Sequence, residues 1–143
     1  MAQSIDPMAL GLLMFRAHQL ARAKANEAAR PTGIELHHAN VLAAVQAGPV
    51  RSQRELGAAL GIDKSTLVRI VDDLEQRHLL ERRRAAGDRR AYEIAITAEG
   101  AQRLQEAGGL YRASMLELLD VFDAPEQQQL HDLLTRFVTQ EQE

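Results

Sequence analysis

A chain of 143 residues, 45% hydrophobic and 26% charged, has the length and balance of one soluble globular domain. It contains no cysteine, which excludes disulfides, cysteine-based zinc sites and thiol-based peroxide sensing. The formal net charge of −3 argues at first sight against a nucleic-acid partner, but the charge is unevenly spread. Residues 50–94 hold ten Lys/Arg against eight Asp/Glu, residues 95–143 three against nine, and residues 1–49 four against three. Acid is thus concentrated at the C-terminal end, and a docking face responds to local rather than net charge. No apolar run reaches the roughly 18 residues of a membrane span. The N-terminus lacks a basic region followed by an apolar run, so the expected location is cytoplasmic.

In chain order, Asp6-Pro7 starts a first long helix from about Met8 to Ala29, with Leu10, Leu13, Met14, Ala17, Leu20 and Ala21 at helical spacing. Pro31 and Gly33 end it. A second helix is expected from Leu36 to Ala47, with Val41, Leu42 and Val45 inward, stopped by Gly48-Pro49.

Ser52 is placed to cap a third helix, with Glu55 completing a capping box. Gly61 breaks that helix, and Asp63 serves as N-cap for a fourth. Leu67, Ile70, Val71 and Leu74 form the buried stripe of this fourth helix, while Lys64, Ser65, Val68, Arg69 and Asp72 occupy its other face. Two short helices joined by a glycine-containing turn, the second polar near its N-terminus, form a helix-turn-helix pattern. A plain helical hairpin shares that pattern. The segment behind it decides between the two.

Leu79-Leu80 is expected to close the fourth helix, followed by a strand over Glu81–Arg84 and a partner over Arg90–Thr97. In the second strand Tyr92, Ile94 and Ile96 alternate with Ala91, Glu93 and Ala95, as in a half-buried strand. Ala85 to Asp88 supply the turn. From Arg82 to Arg90 there are five arginines and one acid. So many like charges on one hairpin do little for packing, and phosphate or minor-groove contact is their simplest use.

A further long helix is expected from its Thr97 cap to about Val121, with Leu104, Ala107, Tyr111, Met115, Leu118, Leu119 and Phe122 apolar. Gly108-Gly109 inside it predicts a bend or a close helix approach. A last helix, with Pro125 in its first turn, runs to about Gln140 with Leu130, Leu133, Leu134, Phe137 and Val138 on one side. The fold class is therefore mainly α with a small β-wing, a winged helix-turn-helix flanked by N- and C-terminal helices. Those flanking helices carry more apolar surface than a lone winged lobe needs.

The runs Asp63-Lys64-Ser65-Thr66-Leu67, Gly87-Asp88-Arg89-Arg90-Ala91 and Ile94-Ala95-Ile96-Thr97-Ala98-Glu99-Gly100 make the chain similar to the MarR family of bacterial transcription regulators. The family's Asp-x-Arg wing pattern is met by Asp88 and Arg90. The resemblance spans nearly the whole chain. It implies one domain, with residues 1–34 and 98–143 as a helical dimerisation region and residues 35–97 as the DNA-binding lobe. It further implies a homodimer on a pseudo-palindromic operator, acting as a ligand-responsive repressor. Two-fold symmetry would set the recognition helices about 34 Å apart, one turn of DNA.

Roles follow by chemistry and by resemblance. Arg69 is the first choice for base reading, since Arg to guanine is the commonest specific contact. Lys64, Ser65 and Thr66 at the helix N-terminus suit phosphates or base edges, with helix capping the alternative for Thr66. Val68 suits a thymine methyl or an exposed surface. Arg51 and Arg54 lie where the preceding helix would cross the backbone. The resemblance sends Arg90 into the minor groove, with Asp88 orienting a wing arginine and Arg89 the alternative. Arg82, Arg83 and Arg84 are read as backbone neutralisers or ion-pair partners.

The resemblance also implies a pocket between the dimerisation helices and the winged lobe, often for aromatic or phenolic anions. Met14, His18, His37, His38 and Tyr111 are its candidate lining, with solvent-facing, capping or core roles the alternatives. A metal-responsive regulator of the same fold is the nearest alternative, with Glu35, His37 and His38 as partial ligands, but structural zinc normally needs four. No cofactor is expected. An enzyme finds no support in a glycine-rich phosphate loop, a nucleophile in a recognisable context or a His-x-x-x-His cluster. A winged-helix module for protein contact alone is the remaining alternative, and base-specific, salt-dependent DNA binding separates it from the DNA reader.

Overall fold

The structure is a computed structural model that describes residues 5–48, 50 and 52–140. It is mainly helical: α1 (Pro7–Ala29), a 3-10 turn (Arg30–Thr32), α2 (Leu36–Gln46), α3 (Gln53–Leu60), α4 (Lys64–Gln76), β1 (Leu80–Ala85), β2 (Asp88–Ile96), α5 (Ala98–Leu119) and α6 (Ala124–Thr139). None of these helices is long and apolar enough to cross a membrane.

Local chemistry starts most helices. Asp6 accepts from the Met8 amide with Pro7 in the first turn of α1. Ser52 accepts from the Glu55 amide, Thr97 from the Gly100 amide, and Asp123 forms a reciprocal capping box with Glu126. Gly33 and Gly61 end their segments in the left-handed region.

The core lies in the winged lobe. Ile34, Val41, Leu42, Val45, Leu56, Leu67, Val71, Leu74, Leu79, Leu80 and Ile94 are buried together, and Ala29 and Ala107 bring α1 and α5 against them. Between α1 and α2, the segment from Thr32 to Leu36 is gripped by four side chains, from α1, from the end of α4 and from α5. Arg103 donates to the Thr32 carbonyl at 2.8 Å, Arg77 to Gly33 at 2.6 Å and Tyr111 to Ile34 at 2.9 Å. Asn26 accepts from the Leu36 amide at 2.8 Å. This segment ties the recognition lobe to the long helices.

Three expectations need correcting. Helix α4 ends at Gln76, short of Leu79-Leu80. His78 adopts φ 60°, its amide donating to Glu75 and the Leu79 amide to Leu74, so a left-handed cap turns the chain and frees Leu80 to open β1. The inward face of β2 stops at Ile94, because the hairpin outruns the core and leaves Tyr92 half exposed. Helix α5 passes through Gly108 and Gly109 with nothing within 4 Å of where their Cβ atoms would stand, so no close approach occurs there among the described residues. The tight glycine is Gly100, whose Cβ would meet the Leu79 carbonyl oxygen at 2.1 Å. A further pairing, Val50 with Ile94, braces the wing from the segment before α3.

The terminal helices contrast with this lobe. On α1 only Ala25 and Ala29 are buried, and Leu10, Leu13, Phe15 and Leu20 are exposed. Helix α6 buries no residue, and Leu133, Leu134, Phe137 and Val138 stand open.

Candidate nucleic-acid interface

Helix α4 presents its free side because its apolar stripe is consumed by the core. Leu67, Ile70, Val71 and Leu74 point inward, which leaves Lys64, Ser65 and Arg69 exposed and Val68 half-buried. With Asp63 these four line one open concavity. Neither Lys64 nor Arg69 has a side-chain partner among the described residues, so both charges are available to a ligand. Arg54 is exposed on α3, and Arg51 lies outside the described residues.

Asp63 governs the front of α4. Its carboxylate accepts from the Thr66 amide at 3.0 Å, from the Thr66 hydroxyl at 2.6 Å and from the Ser65 hydroxyl at 2.7 Å. The Thr66 bonds first, then Ser65, hold its carboxyl far below the usual carboxylate range. Both hydroxyls are therefore engaged in capping. Sequence reading offered capping for Thr66 and did not foresee it for Ser65.

The wing sorts its five arginines. Arg82 pairs with Glu75 at 2.7 Å and reaches Asp72 at 3.9 Å, joining the hairpin base to α4. Arg83 pairs with Glu93, its cross-strand partner, at 2.9 Å. Arg84 donates to the Arg89 carbonyl and lies 5.0 Å from the ring centroid of Tyr92, its own cross-strand partner. Asp88 accepts from the Arg90 amide at 2.9 Å, shaping the turn. The side chains of Arg89 and Arg90 are left without a partner among the described residues. Helical and strand register, invisible in a run of arginines, makes this division.

The five candidate effector residues do not gather at one place. His37 and His38 line a cleft of about 440 Å³ with Arg22, Thr66, Arg69, Ile70 and Asp73. Met14 and His18 sit earlier on α1 and line no part of it, since α1 reaches the lobe only from about Arg22 onward. Tyr111 lies behind α2, where burial and the charge of Glu35 push its hydroxyl up to about 12 while it donates to Ile34. His38 is the best-defined of the set. Its Nδ1 accepts from the Glu35 amide at 3.1 Å, which closes the capping box of α2, and its Nε2 faces Asp73 on α4 at 3.0 Å. Burial, then His37 and Arg77, lower its pKa against the pull of Asp73. Glu35 pairs with His37 at 3.1 Å, and no group of three or more potential metal ligands assembles among the described residues. Arg22, Thr66, Arg69 and Asp73 escaped sequence reading as cleft residues because they come from helices remote in the chain.

Comparison with known proteins agrees with this geometry. The MarR family matches residues 32–91, from the gripped segment through the wing. A transcriptional regulator (MarR family) from Rhodococcus sp. RHA1 superposes with a TM-score of 0.80 at 28% identity, covering 94% of this chain and 96% of that one. CouR from Rhodococcus jostii RHA1, solved bound to p-coumaroyl-CoA, gives 0.74 at 29% identity over 90% of each chain. A mutant MarR from E. coli, complexed with operator DNA, gives 0.79 at 26% identity over 90% of this chain and 93% of that one. Reading helix and wing fall within the stretch that matches the MarR family of winged helix-turn-helix transcriptional regulators, and the fold as a whole, flanking helices included, is similar to that of these MarR regulators.

Proposed function

We propose that this DNA-binding regulator reads a pseudo-palindromic operator as a homodimer and represses until a small aromatic or phenolic anion releases it. The observation that carries the DNA reading is the coincidence of two free cationic surfaces. Lys64 and Arg69 project from α4 beside Val68, and Arg89 and Arg90 project from the wing, all without internal ion-pair partners among the described residues. Family and fold are those of transcriptional regulators, and no catalytic role is proposed.

In this reading residues 35–97 form the DNA-binding lobe, while residues 1–34 and 98–143 form the dimerisation region. Arg69 reads a guanine, Val68 meets a thymine methyl, and Lys64, Arg51 and Arg54 hold phosphates. Arg90 enters the minor groove with Arg89 beside it. Arg84 supports the wing through Tyr92, and Asp88 sets the turn. The dimer reading is supported by the open apolar faces of α1 and α6, which need a cover that the described residues do not supply. The effector reading is supported by the cationic lining of the cleft, with Arg22 and Arg69 beside His37 and His38, and by the p-coumaroyl-CoA bound to the relative CouR. A ligand between α2 and α4 would favour one spacing of the recognition helices over another.

Selection of bound sequences from random double-stranded DNA tests this reading, with Arg69→Ala and Arg90→Ala alongside. An inverted repeat is expected for the parent protein. Arg69→Ala relaxes one position in each half-site, and Arg90→Ala weakens binding without unfolding the protein. Unchanged affinity of Arg90→Ala at physiological salt refutes its minor-groove role. DNA binding without salt dependence or base preference would favour the protein-contact alternative. A promoter–reporter assay with and without candidate phenolic acids decides between repression and activation.

A further inference from the structure

The cap of α4 fixes the polarity of the hydroxyl groups beside it. Ser65 Oγ lies 2.7 Å from Asp63 Oδ1, and Thr66 Oγ1 lies 2.6 Å from Oδ2. An ionised carboxylate has no proton to give, so each hydroxyl is the donor in its bond. The carboxyl stays ionised at any pH at which the protein would meet DNA, because these same bonds hold its pKa down.

A hydroxyl has one proton and two lone pairs. With the proton committed to Asp63, Ser65 and Thr66 can only accept from a third group. Neither can donate to a phosphate oxygen. The Thr66 amide, which a helix N-terminus would otherwise offer to an anion, is held by the same carboxylate at 3.0 Å. The two hydroxyl-bearing residues also diverge. Thr66 lines the cleft with Arg22, His37 and His38, whereas Ser65 lines the concavity shared with Lys64, Val68 and Arg69.

We propose that Asp63 is a positioning residue for sequence reading: it makes Ser65 an acceptor-only group on the DNA face, and Ser65 thereby selects a base that presents an exocyclic amine in the major groove, adenine or cytosine. The inference rests on the DNA reading above. In the major groove adenine N6 and cytosine N4 are donors, whereas guanine and thymine offer only acceptors on their own edges. Arg69, a pure donor, has the opposite preference. One turn of α4 thus carries an acceptor at Ser65, an apolar group at Val68 and a donor at Arg69.

The test is selection from random duplexes with the full chain as wild type, Ser65→Ala and Asp63→Gly. Asp63 Oδ1 accepts from both the Thr66 amide and the Ser65 hydroxyl, so an asparagine that kept the cap would keep Ser65 donating. Glycine weakens an N-cap only slightly, and it removes both oxygens and lets Ser65 turn its proton outward. Wild type is expected to select adenine or cytosine at one position of each half-site. Ser65→Ala should flatten that position by roughly fivefold, the worth of one neutral hydrogen bond, and leave the others. Asp63→Gly should admit guanine or thymine at the same position. Loss of the Asp63 charge also raises affinity for every sequence, which appears in the binding constant and not in the base preference. Three results overturn the proposal alone: no position sensitive to Ser65→Ala, a sensitive position already occupied by guanine or thymine in wild type, or an Asp63→Gly preference identical to wild type. Should Asp63→Gly melt early, the two Ser65 outcomes still decide. Failure of the wild type to enrich any sequence removes the DNA reading itself and the proposal with it, so the two failures are distinguishable.

Discussion

The winged lobe and the terminal helices are built from similar residues with opposite fates. In the lobe, Leu42, Leu67, Leu74 and Leu80 are sealed from solvent by one another. On α6, Leu134 is 48% and Phe137 47% exposed, and on α1 Leu13 is 59% exposed. The lobe closes its own core, whereas the terminal helices present an apolar face without cover from the described residues. Burial of such a face contributes about 25 cal/mol per Å², so the face is a reserve of stability realised only on assembly. Where hydrophobic residues stand in a sequence therefore says less than what they stand against.

The sharpest way to break this comparison is to charge the open face. Leu134→Glu combined with Phe137→Glu should leave the protein monomeric in sedimentation equilibrium and lower operator affinity by about 100-fold or more, as two half-sites lose their linkage. A dimer that survives both changes places the interface elsewhere. Within the lobe, Leu74→Ala should cost about 2–5 kcal/mol in urea unfolding through loss of contacts and a residual cavity. The same truncation at Leu133 should cost stability that depends on protein concentration. Equal concentration dependence at both sites would erase the distinction drawn between the regions.

A smaller effect probes the seam between α2 and α4. His38 has its pKa lowered by burial first, then by His37 and Arg77, from the usual 6.5. Between that lowered value and 6.5 the unfolded chain binds more protons than the folded one. The stability tied to His38 is thus fully present above 6.5 and is lost as pH falls through the window down to the folded value. Glutamine at position 38 can still accept from the Glu35 amide, so His38→Gln should remove this slope from urea midpoints measured across mildly acid pH. A slope that persists belongs to other groups. The smallest expected change is a gain. His78 sits at φ 60°, where glycine carries no side-chain penalty, and His78→Gly should stabilise by about 0.5–1 kcal/mol in thermal melts. A loss would mean that the His78 side chain has a role which its exposed position does not reveal.

Much of the molecule was legible in its residues because much of it is local. Asp6, Ser52, Asp63 and Thr97 all cap the helices that follow them, since a cap reaches only two or three residues along the chain. Gly61 ends α3 for the same reason. The end of α4 is hidden in the sequence because a histidine, His78, stands where a left-handed turn normally signals itself with glycine. The candidate site was legible in outline, with Lys64, Ser65, Val68 and Arg69 on one side of a helix whose other side is apolar.

What sequence alone determined is therefore the set of elements, their order, the resemblance carried by the α4 and wing runs, and the stretch that bears the basic residues. Tertiary structure alone decided which basic residues are free. Cross-strand register gives Glu93 to Arg83 and Tyr92 to Arg84, and the approach of β1 to α4 gives Glu75 to Arg82. It also joined His38 to Asp73, and Arg77, Arg103 and Tyr111 to the segment before α2. Helix periodicity and capping are short-range consequences of one backbone geometry, whereas these partners lie up to 77 residues apart and meet only where packed elements bring them into contact.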